Sequence, residues 1–70
     1  MDDIKNKLIN YIAEEQADIE YYSEQICIVG DSEYYLALIE ESREAIATYY
    51  DKLMSLGLTR EDITREVAYA

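Results

Sequence analysis

Two runs of apolar residues at helical spacing, divided by one glycine, constrain this chain more than any other feature. Ile4, Leu8, Ile12, Ile19, Tyr22, Ile26 and Val29 recur three, four or seven residues apart. That spacing places side chains on one stripe of an α-helix. In heptad terms Ile12, Ile19 and Ile26 share one core position, and Leu8, Tyr22 and Val29 share the other. Glu15 interrupts the second set. Asp2 or Asp3 can cap the start, so the spacing predicts a helix over about 3–29, roughly 40 Å long at 1.5 Å per residue. Gly30 suits the left-handed residue that ends a helix.

A second run follows at once. Asp31 or Ser32 can serve as its cap, and Glu33 puts an anion in the first turn, where the helix dipole favours one. Its seam reads Tyr35, Ile39, Ser42, Ile46, Tyr49, Leu53 and Leu56, which predicts a helix over about 32–56. Gly57 ends it, and Leu58 can pack back on Leu53 in a Schellman-type stop. No proline interrupts either run. Two long helices joined by so short a turn must lie antiparallel. Pairing outward from the turn sets Ile12 against Tyr49, Ile19 against Ser42 and Tyr22 against Ile39. Glu15 then falls near Ile46, one turn from Arg43, and an ion pair between Glu15 and Arg43 is expected to hold the register.

Thr59-Arg60-Glu61-Asp62 is a capping-box variant with Asp at the fourth position, and Leu58 and Ile63 stand where a hydrophobic staple needs them. A short third helix over about 60–69 follows. Its stripe of Ile63 and Val67 should fold onto the open end of the hairpin. The fold class is all-α: a long antiparallel helical hairpin plus a short C-terminal helix, in one small domain over 1–70.

Composition adds the charge and removes most chemistry. The 70 residues carry 16 acids against six bases, a net charge of −10. Such a chain is repelled by nucleic acid and by anionic membranes, and attracted to basic protein surfaces. From Leu8 to Ser42 there are nine acids and no base, whereas Lys5, Lys7, Lys52, Arg60 and Arg65 gather toward the open end. The density of charge over that stretch is comparable to that of single-stranded DNA, so nucleic-acid mimicry is one reading of it. The longest apolar run, Tyr34–Ile39, is too short to span a bilayer. From a lone cysteine and no apolar leader after Met1, a reducing, cytoplasmic setting is expected.

There is no histidine, one cysteine, and no glycine-rich loop. That removes histidine acid–base chemistry, thiolate zinc sites, CxxC redox pairs and phosphate loops. No catalytic, cofactor or metal site is expected. Carboxylates such as Glu40, Glu41 and Glu44 lack the looped oxygen cage of a calcium site. Cys27 adjoins the seam and is expected to be a small buried residue.

The remaining features are surfaces. Helix 2 is apolar beyond its seam: Leu36 and Tyr50 flank one side, Leu38 and Ala45 the other. Leu36, Leu38 and Tyr50 are therefore expected at an interface, with a homodimer built as a four-helix-type bundle as the natural arrangement. Near the turn, Tyr21 and Tyr34 point outward among Glu20, Glu24, Asp31 and Glu33, with Glu40 and Glu41 further along. Tyrosines anchor interfaces, and carboxylates steer a basic partner. These residues are the expected partner-binding set. Two functions are open at this point. One is a non-enzymatic acidic inhibitor or regulator that docks on a basic protein surface, such as one that holds nucleic acid. In size and charge alone it is comparable to small phage anti-defence proteins, which act inside the infected cell. The other is a homo-oligomeric helical-bundle adaptor whose acids only keep it soluble.

Overall fold

The computed structural model describes residues 2–30 and 32–70. Among them the chain is all-helical: α1 (Asp2–Val29), α2 (Ser32–Ser55) and α3 (Arg60–Ala68). Each boundary lies within two residues of its expected place, and the reason is visible at both glycine stops and at the start of α3. Gly30 has φ 80°, and its N–H donates to the Ile26 carbonyl at 3.1 Å. That is the single bond of the left-handed cap. Gly57 has φ 103°. Its N–H donates to Met54 O at 3.0 Å, and that of Leu58 donates to Leu53 O at 3.3 Å. Together these make the full Schellman pair. The expected cap Asp31 lies outside the described residues. At α3, the Asp62 N–H donates to Thr59 Oγ1 at 3.1 Å, and the Thr59 N–H donates to Asp62 Oδ2 at 3.2 Å. Both halves of the capping box are made.

α1 and α2 form an antiparallel hairpin. The ring of Tyr11 lies 5.6 Å from that of Tyr49, and Tyr22 lies 6.0 Å from Tyr35, so residues far apart in the chain pair from the open end to the turn. The molecule measures 42 × 19 × 19 Å. Its long axis is the length of α1, since 28 residues rise about 42 Å.

The core sits at one end of this rod. Leu8, Ile9 and Ile12 of α1, Leu53 of α2, and Ile63 and Val67 of α3 form one buried cluster. Ile46, Tyr49, Tyr50 and Leu58 pack around it. α3 bridges the two long helices there. Tyr50 on α2 meets Thr64 at 3.2 Å through their hydroxyls, and the Arg60 guanidinium lies 5.4 Å over its ring. On the other side Lys5 of α1 pairs with Glu66 at 3.6 Å. Ile9 is buried although it falls outside the α1 seam, in the cluster that Ile63 and Val67 of α3 complete.

Three expectations need correction. The seam does not stay buried to its ends. Ile4, Val29 and Leu56 are exposed, each at or near a helix end and outside the buried cluster. Glu15 and Arg43 form no ion pair. Arg43 follows the buried Ser42 and turns to the flank of α2, where it lines a groove with Ser23 and Ile26. Cys27 is exposed, because it follows Ile26 on the outer side of α1, beyond the reach of α3.

Candidate protein interface

The half of the rod nearest the turn has no third helix, and its surface has two distinct faces. On one face four tyrosines form a chain across both helices. Tyr21 meets Tyr22 edge-on at 5.8 Å, Tyr22 meets Tyr35 at 6.0 Å, and Tyr35 meets Tyr34 edge-on at 5.1 Å. The inner pair is half-buried and bridges the helices. The outer pair, Tyr21 at 56% and Tyr34 at 60%, is exposed. Tilted and edge-to-face contacts of this kind are worth about 0.5–1.5 kcal/mol each beyond simple burial, so the two outer rings are held in place. Two adjacent tyrosines on each helix could be read in the sequence. Their joining through Tyr22 and Tyr35 could not, because the expected register set Tyr22 against Ile39, one turn away.

Carboxylates stand on the same half of the rod. Glu20, Glu24, Glu33, Glu40 and Glu41 are all exposed. Glu20 and Glu24 stand on α1, with Glu33, Glu40 and Glu41 on α2, so the structure brings the expected partner-binding acids to one half of the rod. Asp31 lies outside the described residues. The local field is felt by Tyr22, whose phenol is pushed above its usual range. Partial burial is the largest cause, followed by the nearby charges of Asp18 and Glu15.

The second face carries a groove of about 360 Å³ lined by Ser23, Ile26, Leu36, Ile39, Glu40 and Arg43. Ile39 forms its buried wall, and Leu36 is 53% exposed at its edge. Sequence reasoning singled out Leu36 but not the groove, since Ser23 gives no apolar signal and Arg43 was assigned to Glu15. The three residues expected at an oligomer interface take three different environments. Leu36 borders the groove. Leu38 is half-buried on the opposite flank of α2. Tyr50 is taken up by Arg60 and Thr64 of α3.

Among the described residues no group of three or more Cys, Asp or Glu is gathered closely enough to hold a metal ion. Among the same residues no helix is long and apolar enough to cross a membrane. No family model matches the chain, and no curated protein and no solved structure matches it.

Proposed function

We propose that this protein is a non-enzymatic regulator or inhibitor that docks its acidic, tyrosine-bearing half on a basic surface of a partner protein. One observation carries the reading. The chain of Tyr21, Tyr22, Tyr35 and Tyr34 presents two exposed rings on the half of the rod that also carries the exposed Glu20, Glu24, Glu33, Glu40 and Glu41, in a stretch of sequence without a single Lys or Arg. Rings with few degrees of freedom supply contact area at low entropic cost. The carboxylates supply attraction and steering. A partner surface that ordinarily holds nucleic acid has the matching charge, which makes a cytoplasmic antagonist of such a protein the natural form of the idea.

The test begins with affinity capture from the native host. Binding of the captured partner should weaken steeply as salt rises, and DNA or RNA should compete for it. The triple variant E20K/E24K/E33K should lose most of the affinity. An unchanged affinity in that variant ends this reading.

A second reading, a homodimeric bundle, draws on the exposed apolar residues Ile28, Val29 and Leu36 near the turn. Analytical ultracentrifugation at high concentration decides it. A monomer across the range removes it, and a dimer dissociated by Leu36→Asp supports it.

A further inference from the structure

The groove near the turn repeats the seat of α3. The surface that receives α3 includes Ile9 and Ile12 on α1 and Tyr50 and Leu53 on α2. Moving fourteen residues toward the turn on each helix gives Ser23, Ile26, Leu36 and Ile39, which are four of the six residues lining the groove. Fourteen residues are two heptads, so each residue returns to within about 40° of its angular position, with the same drift on both helices. The two sites are therefore one interhelical channel sampled twice, about 21 Å apart along the axis. α3, with nine residues, covers only about 14 Å of it. The upper site is filled by Ile63 and Val67, an i, i+4 aliphatic pair. The lower site is open.

We propose that this lower site docks a short amphipathic helix of a partner protein, one with an i, i+4 aliphatic pair on its inner face and Lys or Arg on its flanks. The inner face follows from what fills the equivalent site. The flanking charge follows from the rim. Glu40 lines the groove, and helical spacing puts Glu33 and Glu44 beside it on α2 and Glu20 beside Ser23 on α1. Arg43 is the one base among them. A second copy of this chain is a poor occupant. It brings another −10 charge against the same rim, and its own aliphatic pair, Ile63 and Val67, is already buried. The proposal rests on the basic-partner reading above and adds the element recognised and the place where it sits.

The test uses the full chain, isotope-labelled for NMR, and three synthetic peptides of about three helical turns. The first carries Ile and Val at i, i+4 among lysines. The second has the same composition with the two apolar residues on opposite faces. The third replaces lysine with glutamate. The first peptide is expected to bind and to shift the amide signals of Ser23, Ile26, Leu36 and Ile39, at least tenfold more tightly than the other two. Leu36→Arg should abolish that binding without unfolding the chain, because Leu36 is mostly exposed. Ser23→Ile, which copies the α3 seat, should tighten it several-fold, and Arg43→Ala should tighten it slightly. Equal binding of the first two peptides, with shifts centred on Tyr21 and Tyr34, overturns the groove site while leaving the acidic-surface reading intact. No binding of either basic peptide at low salt overturns both. A dimer that Leu36→Arg converts to monomer assigns the groove to a second copy and overturns the partner helix.

Discussion

Ile12 and Ile26 lie two heptads apart on the same stripe of α1, yet they have different fates. Ile12 is fully buried, enclosed by Leu53 and by Ile63 and Val67 of α3. Ile26 is half-buried and lines an open groove. On α2 the contrast holds between Tyr50, which α3 partly covers, and Leu36, which is exposed, whereas Leu53 and Ile39 are both buried. A nine-residue helix placed at one end divides a nearly uniform hairpin into a closed half and an open half. The closed half holds the fold. The open half bears the acids, the exposed tyrosines and the unfilled groove, so most of what could contact another molecule lies where the chain does not complete its own packing. A two-helix stretch cannot bury both flanks of its seam, which makes this division a consequence of topology.

Matched alanine substitutions probe the division most sharply. Ile12→Ala removes a side chain with no solvent exposure and should cost about 2–5 kcal/mol. A chain of this length has roughly 3–10 kcal/mol in all, so the variant should be close to unfolding in urea titrations. Ile26→Ala removes the same atoms from a half-open site and should cost about 1 kcal/mol or less. Equal losses would mean that the turn half is as tightly packed as the α3 half, and the contrast would be gone.

Thr59→Ala comes next. It deletes the hydroxyl that accepts the Asp62 N–H and should cost about 1 kcal/mol. The loss should fall on the closed half. Hydrogen exchange should accelerate first in α3, and then at Leu8, Ile9 and Leu53, which α3 covers. Amides around Ser23 and Leu36 should keep their rates. A uniform acceleration would instead describe a rod that opens as one cooperative unit. Smaller still is Leu36→Ala, which should change global stability by less than about 0.5 kcal/mol, because the side chain borders the groove without closing it.

How far the sequence could be read follows the same boundary. The helices, both glycine stops and the Thr59–Asp62 box were legible because each is a local pattern with a local cause: a periodicity, a positive φ, a reciprocal hydrogen bond. The docking of α3 on the open end was legible too, from Ile63 and Val67 at i, i+4. Three features were not. Ile9 is buried in the cluster that α3 completes, which no periodicity within α1 records. Arg43 was matched to Glu15 by register alone, whereas the side to which its chain turns is set by the flank of α2 it occupies. Cys27, apolar in type, lies outside because nothing covers the outer side of α1 there. Ile9 and Cys27 turn on where α3 does and does not reach, and Arg43 on the flank of α2 that it occupies, none of which the periodicity of a single helix records.

The gentlest probe is pH, and it should act on the two halves from opposite directions. Asp62, in the closed half, has its carboxyl held below the usual value of 3.8. Hydrogen bonding to Thr59 is the main cause, through the side chain first and the backbone second, with Arg65 at 3.7 Å adding to it. A carboxyl lowered in the folded state contributes stability that is complete above the unfolded value and fades as pH falls through the folded one. Acid should therefore loosen α3 first, and Asp62→Asn should remove that part of the acid dependence. In the open half the Tyr22 phenol is raised above 10.0, by partial burial and then by Asp18 and Glu15. A group raised in the folded state contributes stability that is complete below the unfolded value and is lost as pH rises through the folded one. Alkali should loosen the turn half first, reported by the Tyr22 ring signals in NMR, and Tyr22→Phe should flatten the response. Both effects are small because both groups are near solvent. Their value lies in the order of events: if α3 and the tyrosine chain report the same midpoint at either extreme, the two halves are thermodynamically one, and the open half owes its exposure to geometry alone.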